Sequence, residues 1–251
     1  MKIAFCTACD RHYLARALLM VRSLRRHWPG MPPPVHLLCL DHATETYLGR
    51  HPEPGVRPIP VAAIEAAEPE LGVARGTRTR LEYYFTLSPC LPRRILLDCD
   101  VDAVVSCDAD LRFFGDPSRL VASLQTHPIF ITAHGFTPKM CPGALETGRF
   151  NVSFQGFRRD ATGLACLERW RSECLEWCRH RVDRRHRRFA DQRYLDAWPD
   201  AFPDAVRVFE PPEAGMAPWN LDRFPLSWKD GALRAAGDDL VFFHFQGVRF
   251  L

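Results

Sequence analysis

The first forty residues predict a strand, a helix and a second strand, and this constrains the fold more than any other feature. Residues 2–7 are apolar and rich in β-formers, and residues 11–28 repeat leucine and valine at helical spacing. Residues 35–40 are apolar except for His36, as in a strand that is covered on both faces. Because a helix joins the two strands, we expect a parallel sheet and an α/β domain.

The composition is that of a globular protein. The chain has 251 residues, 47% hydrophobic and 25% charged, which is enough for a large core. No apolar run approaches the roughly 20 residues of a membrane span, and the N-terminus enters a predicted strand rather than a signal peptide. We therefore expect a cytoplasmic protein, attached at most peripherally to the inner face of the membrane. The net charge of +3 is too small to indicate nucleic-acid binding.

A ligand site is expected at the carboxyl ends of the predicted strands, near residues 6–8 and Asp41. Neither a Gly-x-Gly-x-x-Gly nor a Gly-x-x-x-x-Gly-Lys motif follows the first strand, so no glycine loop is available to bind phosphates. A bound nucleotide diphosphate would need another positive group to neutralise it.

Two carboxylates at the end of a further predicted strand suit that purpose. Residues 103–107 are apolar and β-branched, and Asp108, Ala109 and Asp110 follow them. Strand alternation would place both carboxylates on one side, where they repel each other unless a cation or a proton lies between them. Mg²⁺ and Mn²⁺ bind carboxylates and substrate phosphates together. The simpler interpretation is that the two residues only end a strand and open a turn.

A second Asp-x-Asp pair, Asp98 and Asp100, lies ten residues earlier. If that pair ended a strand, the next strand would begin at once, whereas a parallel crossover needs a dozen residues or more. We therefore interpret residues 98–102 as a loop. The rival interpretation is a phosphohydrolase of the haloacid dehalogenase type, in which Asp98 and Asp100 end an apolar strand.

The remaining elements follow from periodicity and turn signals. Residues 47–69 are predicted to form a loop or a short irregular helix. Helices are predicted near residues 89–97, 118–125, 162–178 and 191–198, and strands at 129–132 and 240–243.

Two basic segments stand out. Three arginines lie within residues 75–80, and guanidinium groups bind phosphate oxygens in pairs. Residues 179–188 contain six arginines and two histidines with one aspartate. Such a segment is either a solvated loop or a surface for anionic lipid, an acidic acceptor or nucleic acid. It has no interleaved stacking aromatics, so we expect no nucleic acid. A non-catalytic module that binds sugar nucleotides or anionic lipid through this segment is the second rival.

Several motifs, in this order, together resemble a known family. The chain is similar to bacterial glycosyltransferases of the GT-A fold, in the clan of nucleotide-diphospho-sugar transferases. The motifs are Tyr13-Leu-Ala-Arg-Ala17, Phe85-Thr-Leu-Ser-Pro89, Asp108-Ala-Asp110 through Gly115-Asp-Pro117, Arg149-Phe-Asn-Val152, Asp191-Gln192 and His244-Phe-Gln-Gly247.

The resemblance implies one Rossmann-like GT-A domain over residues 1–251, with a mixed, mostly parallel sheet flanked by helices. Residues 1–117 would be the nucleotide-binding half, and residues 118–251 the acceptor-side half. The implied activity is metal-dependent transfer of a sugar from a nucleotide-diphosphate donor to a carbohydrate or lipid-linked acceptor. Synthesis of a bacterial surface polysaccharide or glycoconjugate is the implied role, with residues 179–188 as a peripheral membrane contact.

The resemblance also assigns residues. Asp108, Asp110 and His244 would bind Mn²⁺ or Mg²⁺, and Asp191 and Gln192 would be catalytic. The donor site would comprise Phe5, Cys6, Thr7, Ala8, Arg80, Asp108, Ala109, Asp110 and Asn151.

The chain departs from one branch of the clan at its last residues. Glycogenin-like enzymes follow the final glycine with Lys-Pro-Trp, whereas this chain continues Val248-Arg-Phe-Leu251, where Arg249 would replace the lysine. Retention of the anomeric configuration is favoured over inversion by the resemblance, and the residues alone leave both open.

Overall fold

The computed structural model describes residues 1–137, 139 and 141–248. The strands are β1 Ile3–Cys9, β2 Val35–Cys39, β3 Val56–Pro60, β4 Ala103–Cys107, β5 Leu111–Phe113, β6 Ile129–Ala133, β7 Phe150–Arg158, β8 Val206–Phe209, β9 Leu226–Lys229, β10 Ala232–Ala235, β11 Asp238–Asp239 and β12 Phe242–His244. The α-helices are α1 Leu14–His27, α2 His42–Arg50, α3 Val61–Ala67, α4 Leu71–Thr77, α5 Arg80–Leu87, α6 Cys90–Asp98, α7 Ser118–Val121, α8 Cys141–Ala144, α9 Ala161–Glu176 and α10 Trp198–Ala201. Short 3₁₀ helices lie at Ala122–Gln125, Arg193–Ala197 and Pro218–Asn220.

Seven strands form one mixed sheet in the order β3-β2-β1-β4-β7-β6-β8. The first four strands in this order, β3, β2, β1 and β4, run parallel to one another. Strand β7 is antiparallel to both β4 and β6, and β8 is parallel to β6. Helices flank the sheet, so the predicted α/β domain with a mixed, mostly parallel sheet is confirmed. Strands from the first and second halves of the chain belong to the same sheet.

Side-chain caps fix where several helices begin. Asp41 accepts a hydrogen bond from the Thr44 amide at the start of α2. Asp160 does the same for Gly163 at the start of α9. At α5, Thr79 and Glu82 form a reciprocal capping box, which satisfies amides that have no partner within the helix.

Two apolar clusters account for most of the core. One packs α5, α6 and α9 against the sheet and contains the fully buried Trp170 and Trp198. The other packs α1 against the opposite face and contains six phenylalanines, among them Phe113, Phe154 and Phe242. The two covered faces leave the carboxyl edge of the parallel strands as the place where polar side chains collect.

Several predicted elements differ from the structure. Residues 47–69 are not a loop or irregular helix: they contain the last four residues of α2, then β3 and α3. β3 tolerates Pro58 and Pro60 because it is an edge strand, where missing amide donors cost no ladder hydrogen bond. No strand was predicted at β7, and the residues after Gln192 begin as a 3₁₀ turn instead of an α-helix.

The Asp-x-Asp segment also differs in its local geometry. β4 ends at Cys107, as predicted, but Asp108 to Asp110 form a turn in which the Leu111 amide donates to the Asp108 carbonyl. The two carboxylates therefore converge through a turn and not through strand alternation.

In the described part of the chain, no helix combines the length and apolar character needed to cross a membrane.

Candidate active site

Two carboxylates and one imidazole form a compact cluster at the carboxyl edge of the sheet. The His244 Nε2 atom lies 3.1 Å from Asp110 Oδ1 and 3.4 Å from Asp108 Oδ2. One ligand atom from each of the three residues lies within 4.8 Å of the others. The side chains of His244 and Asp110 are 3% and 9% exposed, whereas that of Asp108 is 42% exposed, so only Asp108 opens substantially toward solvent.

Strand pairing brings His244 to this cluster from the end of the chain. β12 runs antiparallel to β5, with His244 opposite Leu111. The Phe245 amide donates to the Asp110 carbonyl at 3.0 Å, and the His244 amide donates to the Met216 carbonyl at 2.8 Å. These hydrogen bonds hold the backbone of His244 on both sides, so the register of the β5–β12 pair sets the position of the imidazole.

The electrostatics of the cluster favour a cation. The pKa of Asp108 is raised to about 6, chiefly by burial and also by the neighbouring Asp110, while His244 opposes the increase. Two carboxylates held together in this way are stabilised by positive charge between them.

A large cavity opens beside the cluster. Its volume is about 820 Å³, within the usual range of small-molecule sites. All the predicted site residues except Phe5 and Cys6 line this cavity: Thr7, Ala8, Arg80, Asp108, Ala109, Asp110, Asn151, Asp191, Gln192 and His244.

The structure does not bring Phe5 and Cys6 to the cavity. Both are fully buried, and Phe5 packs edge-on against Trp28 with ring centroids 5.6 Å apart. β1 runs to Cys9, two residues beyond the predicted strand, so the carboxyl edge is shifted along the chain. Cys9, Asp10 and Tyr13 line the cavity instead.

His134 lines the cavity, although the sequence interpretation gave it no role. It is 4% exposed, stacks on Phe136 with ring centroids 4.3 Å apart, and its Nε2 lies 3.0 Å from Asn151 Nδ2. Burial lowers the pKa of His134 to about 4, so the ring is neutral at physiological pH and Nε2 accepts from the Asn151 amide. A lone histidine at a strand end carries no sequence signal for this arrangement.

Trp219 is a second residue without a predicted role. Its indole N–H donates to the His134 carbonyl at 2.8 Å, and its ring lies edge-on to His244 at 5.5 Å. Asn220 donates to the same carbonyl and to that of Gly215. The loop that carries Trp219 is thereby fixed against the cluster, which no local pattern in a proline-rich segment could indicate.

Asp191 and Gln192 also line the cavity. Asp191 is 2% exposed, its Oδ2 has no hydrogen-bond partner among the described atoms, and burial raises its pKa to about 7. The Gln192 side-chain amide donates to the Thr147 carbonyl at 2.8 Å. The wall thus offers one weakly ionised carboxyl group and one anchored neutral amide.

The rival Asp98 and Asp100 pair is built differently. Asp98 is the last residue of α6 and pairs with Arg94, while Asp100 is exposed and pairs with Lys2. A phosphohydrolase nucleophile would end a buried strand, and these residues end a helix and occupy a surface loop. The geometry does not support the haloacid dehalogenase interpretation.

Comparison with known proteins places the chain among relatives. No family model matches it. Over 244 residues it is 30% identical to the uncharacterized protein YfnD of Bacillus subtilis strain 168, which covers 97% of this chain and 77% of YfnD. The chain belongs to the YfnD family. A second relative, the uncharacterized protein YfnF of the same organism, is 29% identical over 257 residues, covering 99% of this chain and 82% of YfnF.

Solved structures show which fold the YfnD family has. The galactosyltransferase LgtC, in complex with donor and acceptor sugar analogs, matches with a TM-score of 0.61 and 16% identity over 97% of this chain and 87% of LgtC. Mouse xyloside xylosyltransferase 1 matches with a TM-score of 0.58 and 13% identity over 98% of both chains. An active-site mutant of LgtC, with glutamate in place of a glutamine, matches with a TM-score of 0.58. This member of the YfnD family has the GT-A fold.

The cluster of this YfnD-family protein fits a divalent metal ion. Two carboxylates and one imidazole are a donor set that Mn²⁺ accepts, and carboxylates also suit Mg²⁺. Nε2 faces both carboxylates, while the buried Nδ1 of His244 has no described partner. Arg249, the predicted substitute for the family lysine, lies outside the described residues.

Proposed function

We propose that the protein is a metal-dependent glycosyltransferase that moves a sugar from a nucleotide-diphosphate donor to a carbohydrate or lipid-linked acceptor. The observation that carries the proposal is the Asp108, Asp110 and His244 cluster, which opens onto the cavity at the carboxyl edge of a GT-A sheet. Ligands of open α/β sheets bind at this edge. The neighbours LgtC and xyloside xylosyltransferase 1 are sugar transferases, which supports the same class of reaction here.

Charge neutralisation is the main task of such a site. A divalent ion held by Asp108, Asp110 and His244 would stabilise the negative charge that develops on the departing diphosphate. Arg80 lines the same cavity, and its side chain has no hydrogen bond or ion pair within the described part of the chain. Its guanidinium is free to bind a phosphate oxygen.

Asp191 and Gln192 would then serve the sugar and the acceptor. With a pKa near 7, the Asp191 carboxyl is only partly ionised at neutral pH. Gln192 is held as a neutral amide by Thr147. We favour a retaining reaction, in which these two groups face the sugar while the acceptor attacks from the leaving-group side. LgtC has a glutamine in its active site, and we propose that Gln192 has the corresponding role here.

The donor site proposed here comprises Thr7, Ala8, Arg80, Ala109 and Asn151 beside the metal set, and it draws on both halves of the chain. We propose residues 1–117 as the half that binds the nucleotide and residues 118–251 as the acceptor side. A cytoplasmic role in making a surface polysaccharide or glycoconjugate is supported by the resemblance in sequence motifs.

Release of nucleoside diphosphate from a panel of nucleotide sugars tests the activity. We expect release from at least one donor in the presence of Mn²⁺, and NMR of the product should show the anomeric configuration of the donor. Asp108→Asn should abolish release, and Asp98→Asn, in the other Asp-x-Asp pair, should not. Saturable binding of nucleotide sugars without release, over a broad panel of acceptors, would instead indicate a non-catalytic binding module.

A further inference from the structure

The arginines of residues 179–188, called here the basic loop, fall into two groups. Arg179 pairs with Glu82, Arg184 with Glu146, and Arg188 with both Glu176 and Asp183. The other three are Arg181, Arg185 and Arg187; they are exposed, and within the described residues their side chains have no ion pair or hydrogen bond. The carboxylates that contact Arg179, Arg184 and Arg188 are therefore already paired, and the three exposed arginines give the loop a positive excess.

Hydrogen bonds give the basic loop a defined backbone conformation. Asp183 and Arg188 exchange two backbone hydrogen bonds of 2.8 and 3.0 Å. The Asp183 carboxylate also accepts from the His186 backbone amide, and one of its oxygens lies 2.9 Å from His186 Nδ1. Arg187 has a φ of 54°, a left-handed conformation that the turn imposes. The turn fixes the backbone that presents Arg185 and Arg187.

Both ends of the basic loop belong to the wall of the large cavity. His180 at one end lines the cavity, as does Phe189 directly after the other end. The His180 ring lies 6.0 Å from Phe85 and 5.6 Å from Phe189, so an aromatic group joins the loop to α5. Asp191 and Gln192 follow on the same wall. The basic loop therefore borders the cavity through its two ends, while Arg181, Arg185 and Arg187 lie beyond the residues that line it.

We propose that the basic loop binds an anionic group, phosphate or carboxylate, carried by the acceptor. The proposal rests on the proposed transferase function and names the class of acceptor that the site selects. Guanidinium groups bind phosphates and carboxylates through two parallel hydrogen bonds, and three unpaired arginines on one fixed loop provide several such forks. The aromatic group of Phe85, His180 and Phe189 offers apolar faces to a sugar ring next to the charge.

The anionic group that we propose for the basic loop is distinct from the donor diphosphate because the two charges bind at different places. The donor's charge is served by the metal cluster at the turn after β4, whereas the basic loop precedes Asp191 and Gln192 in the chain.

Nucleic acid is not the expected ligand of the basic loop, because stacking aromatics are not interleaved with its arginines. The same chemistry could be supplied by a charged glycan or by the phosphate of a lipid-linked acceptor, and the experiment distinguishes these sources.

Binding of defined soluble probes, without donor and without metal, tests the proposal. The probes are an oligogalacturonate, a glycerol-phosphate oligomer and neutral maltohexaose, with affinity measured by microscale thermophoresis at low salt. The loop variant combines Arg181→Gln, Arg185→Gln and Arg187→Gln. The matched control combines Arg26→Gln, Arg50→Gln and Arg57→Gln, three exposed arginines outside the cavity wall that change the net charge equally.

We expect the loop variant to bind at least one anionic probe roughly tenfold more weakly, since exposed ion pairs each contribute a modest amount. The control should stay within about twofold, and maltohexaose binding should be the same in all three proteins. An equal loss in the loop and control variants would overturn the proposal, because net charge alone would then explain binding. So would unchanged probe binding together with lost binding to vesicles containing phosphatidylglycerol, which would identify a membrane contact.

A second readout keeps this result separate from the transferase proposal. Thermal stabilisation by a nucleoside diphosphate with Mn²⁺ should be the same in the loop variant as in the wild type. Because the probe assay contains no nucleotide, anion binding at the loop is measured whether or not the protein transfers sugar.

Discussion

His244 Nε2 lies 3.1 Å from Asp110 Oδ1 because β12 pairs with β5 in a register that sets His244 opposite Leu111. The Phe245 amide adds a hydrogen bond to the Asp110 carbonyl. The two residues come from distant parts of the chain, and each pairing strand is only three residues long. The metal cluster is therefore assembled by tertiary structure and is sensitive to how the end of the chain packs.

Replacing the imidazole should weaken metal binding more than folding. His244→Ala is expected to lower Mn²⁺ affinity by at least roughly tenfold, since even groups that only orient a metal ligand change affinity on this scale. Electron paramagnetic resonance of free Mn²⁺ during titration measures this directly. His42→Ala, whose ring is 90% exposed and remote from the cluster, is the control. Equal Mn²⁺ affinity in both variants and the wild type would exclude His244 as a ligand.

The buried Asp191 carboxyl should leave a signature in the pH dependence of stability. Its pKa is raised from 3.8 to about 7 by burial, so the folded state holds the proton more tightly than the unfolded state. This contribution to the free energy of unfolding is fully present below pH 3.8 and is lost as the pH rises through about 7. Between pH 5 and pH 7 the wild type should lose roughly 2 kcal/mol relative to Asp191→Asn, measured by urea unfolding without ligands. Parallel pH profiles for the two proteins would contradict the assignment.

A buried ion-pair network should stabilise the helices behind the cavity wall. Glu68 accepts hydrogen bonds from Arg171 Nε at 2.6 Å and Arg93 Nη1 at 2.8 Å, and its side chain is 3% exposed. Glu68→Gln should lower the free energy of unfolding by about 2 kcal/mol, because it removes the buried charge that the two guanidinium groups share and leaves them only their more exposed partners, Glu70 and Glu168. Glu70→Gln, which removes a 58% exposed partner of the same Arg171, should cost less than about 1 kcal/mol. Equal urea midpoints for the two variants would show that burial of Glu68 does not matter.

The sequence alone predicts the part of the fold in which nearly every residue of each strand is apolar. The predicted limits of residues 103–107 agree with β4, and the opening strand, helix and strand are confirmed with small shifts at their ends. Such strands are covered on both faces, so their apolar character is visible without knowing their neighbours.

β7 carries a sequence signal that the predicted elements leave out. Residues 150–155 alternate apolar and polar side chains, as in a half-buried strand. The alternation does not indicate that the polar side chains Asn151, Ser153 and Gln155 are buried as well, with Asn151 and Gln155 lining the cavity. The burial of this polar face depends on the elements packed against it, which lie elsewhere in the sequence.

Some residues of the candidate site could be predicted from the sequence, and others could not. Asp108 and Asp110 are close in sequence, so their spacing suggests a shared cation, but the same spacing also fits two residues that only end a strand and open a turn. His244 was assigned from the motif resemblance, and its contact depends on strand register, which sequence spacing does not encode. His134 and Trp219 join the cavity through a loop contact, with Trp219 donating to the His134 carbonyl, and nothing near them in sequence indicates it.

The most direct test of the central claim is thermal unfolding with nucleoside diphosphates, with and without Mn²⁺, in the wild type and in Asp110→Asn. The account predicts that one nucleotide and Mn²⁺ together raise the wild-type Tm by roughly 5 °C at a hundredfold excess over Kd, and neither alone does so. Asp110→Asn should lose this shift, and Asp98→Asn should keep it. A shift of the same size in Asp110→Asn would contradict the proposed metal and diphosphate site.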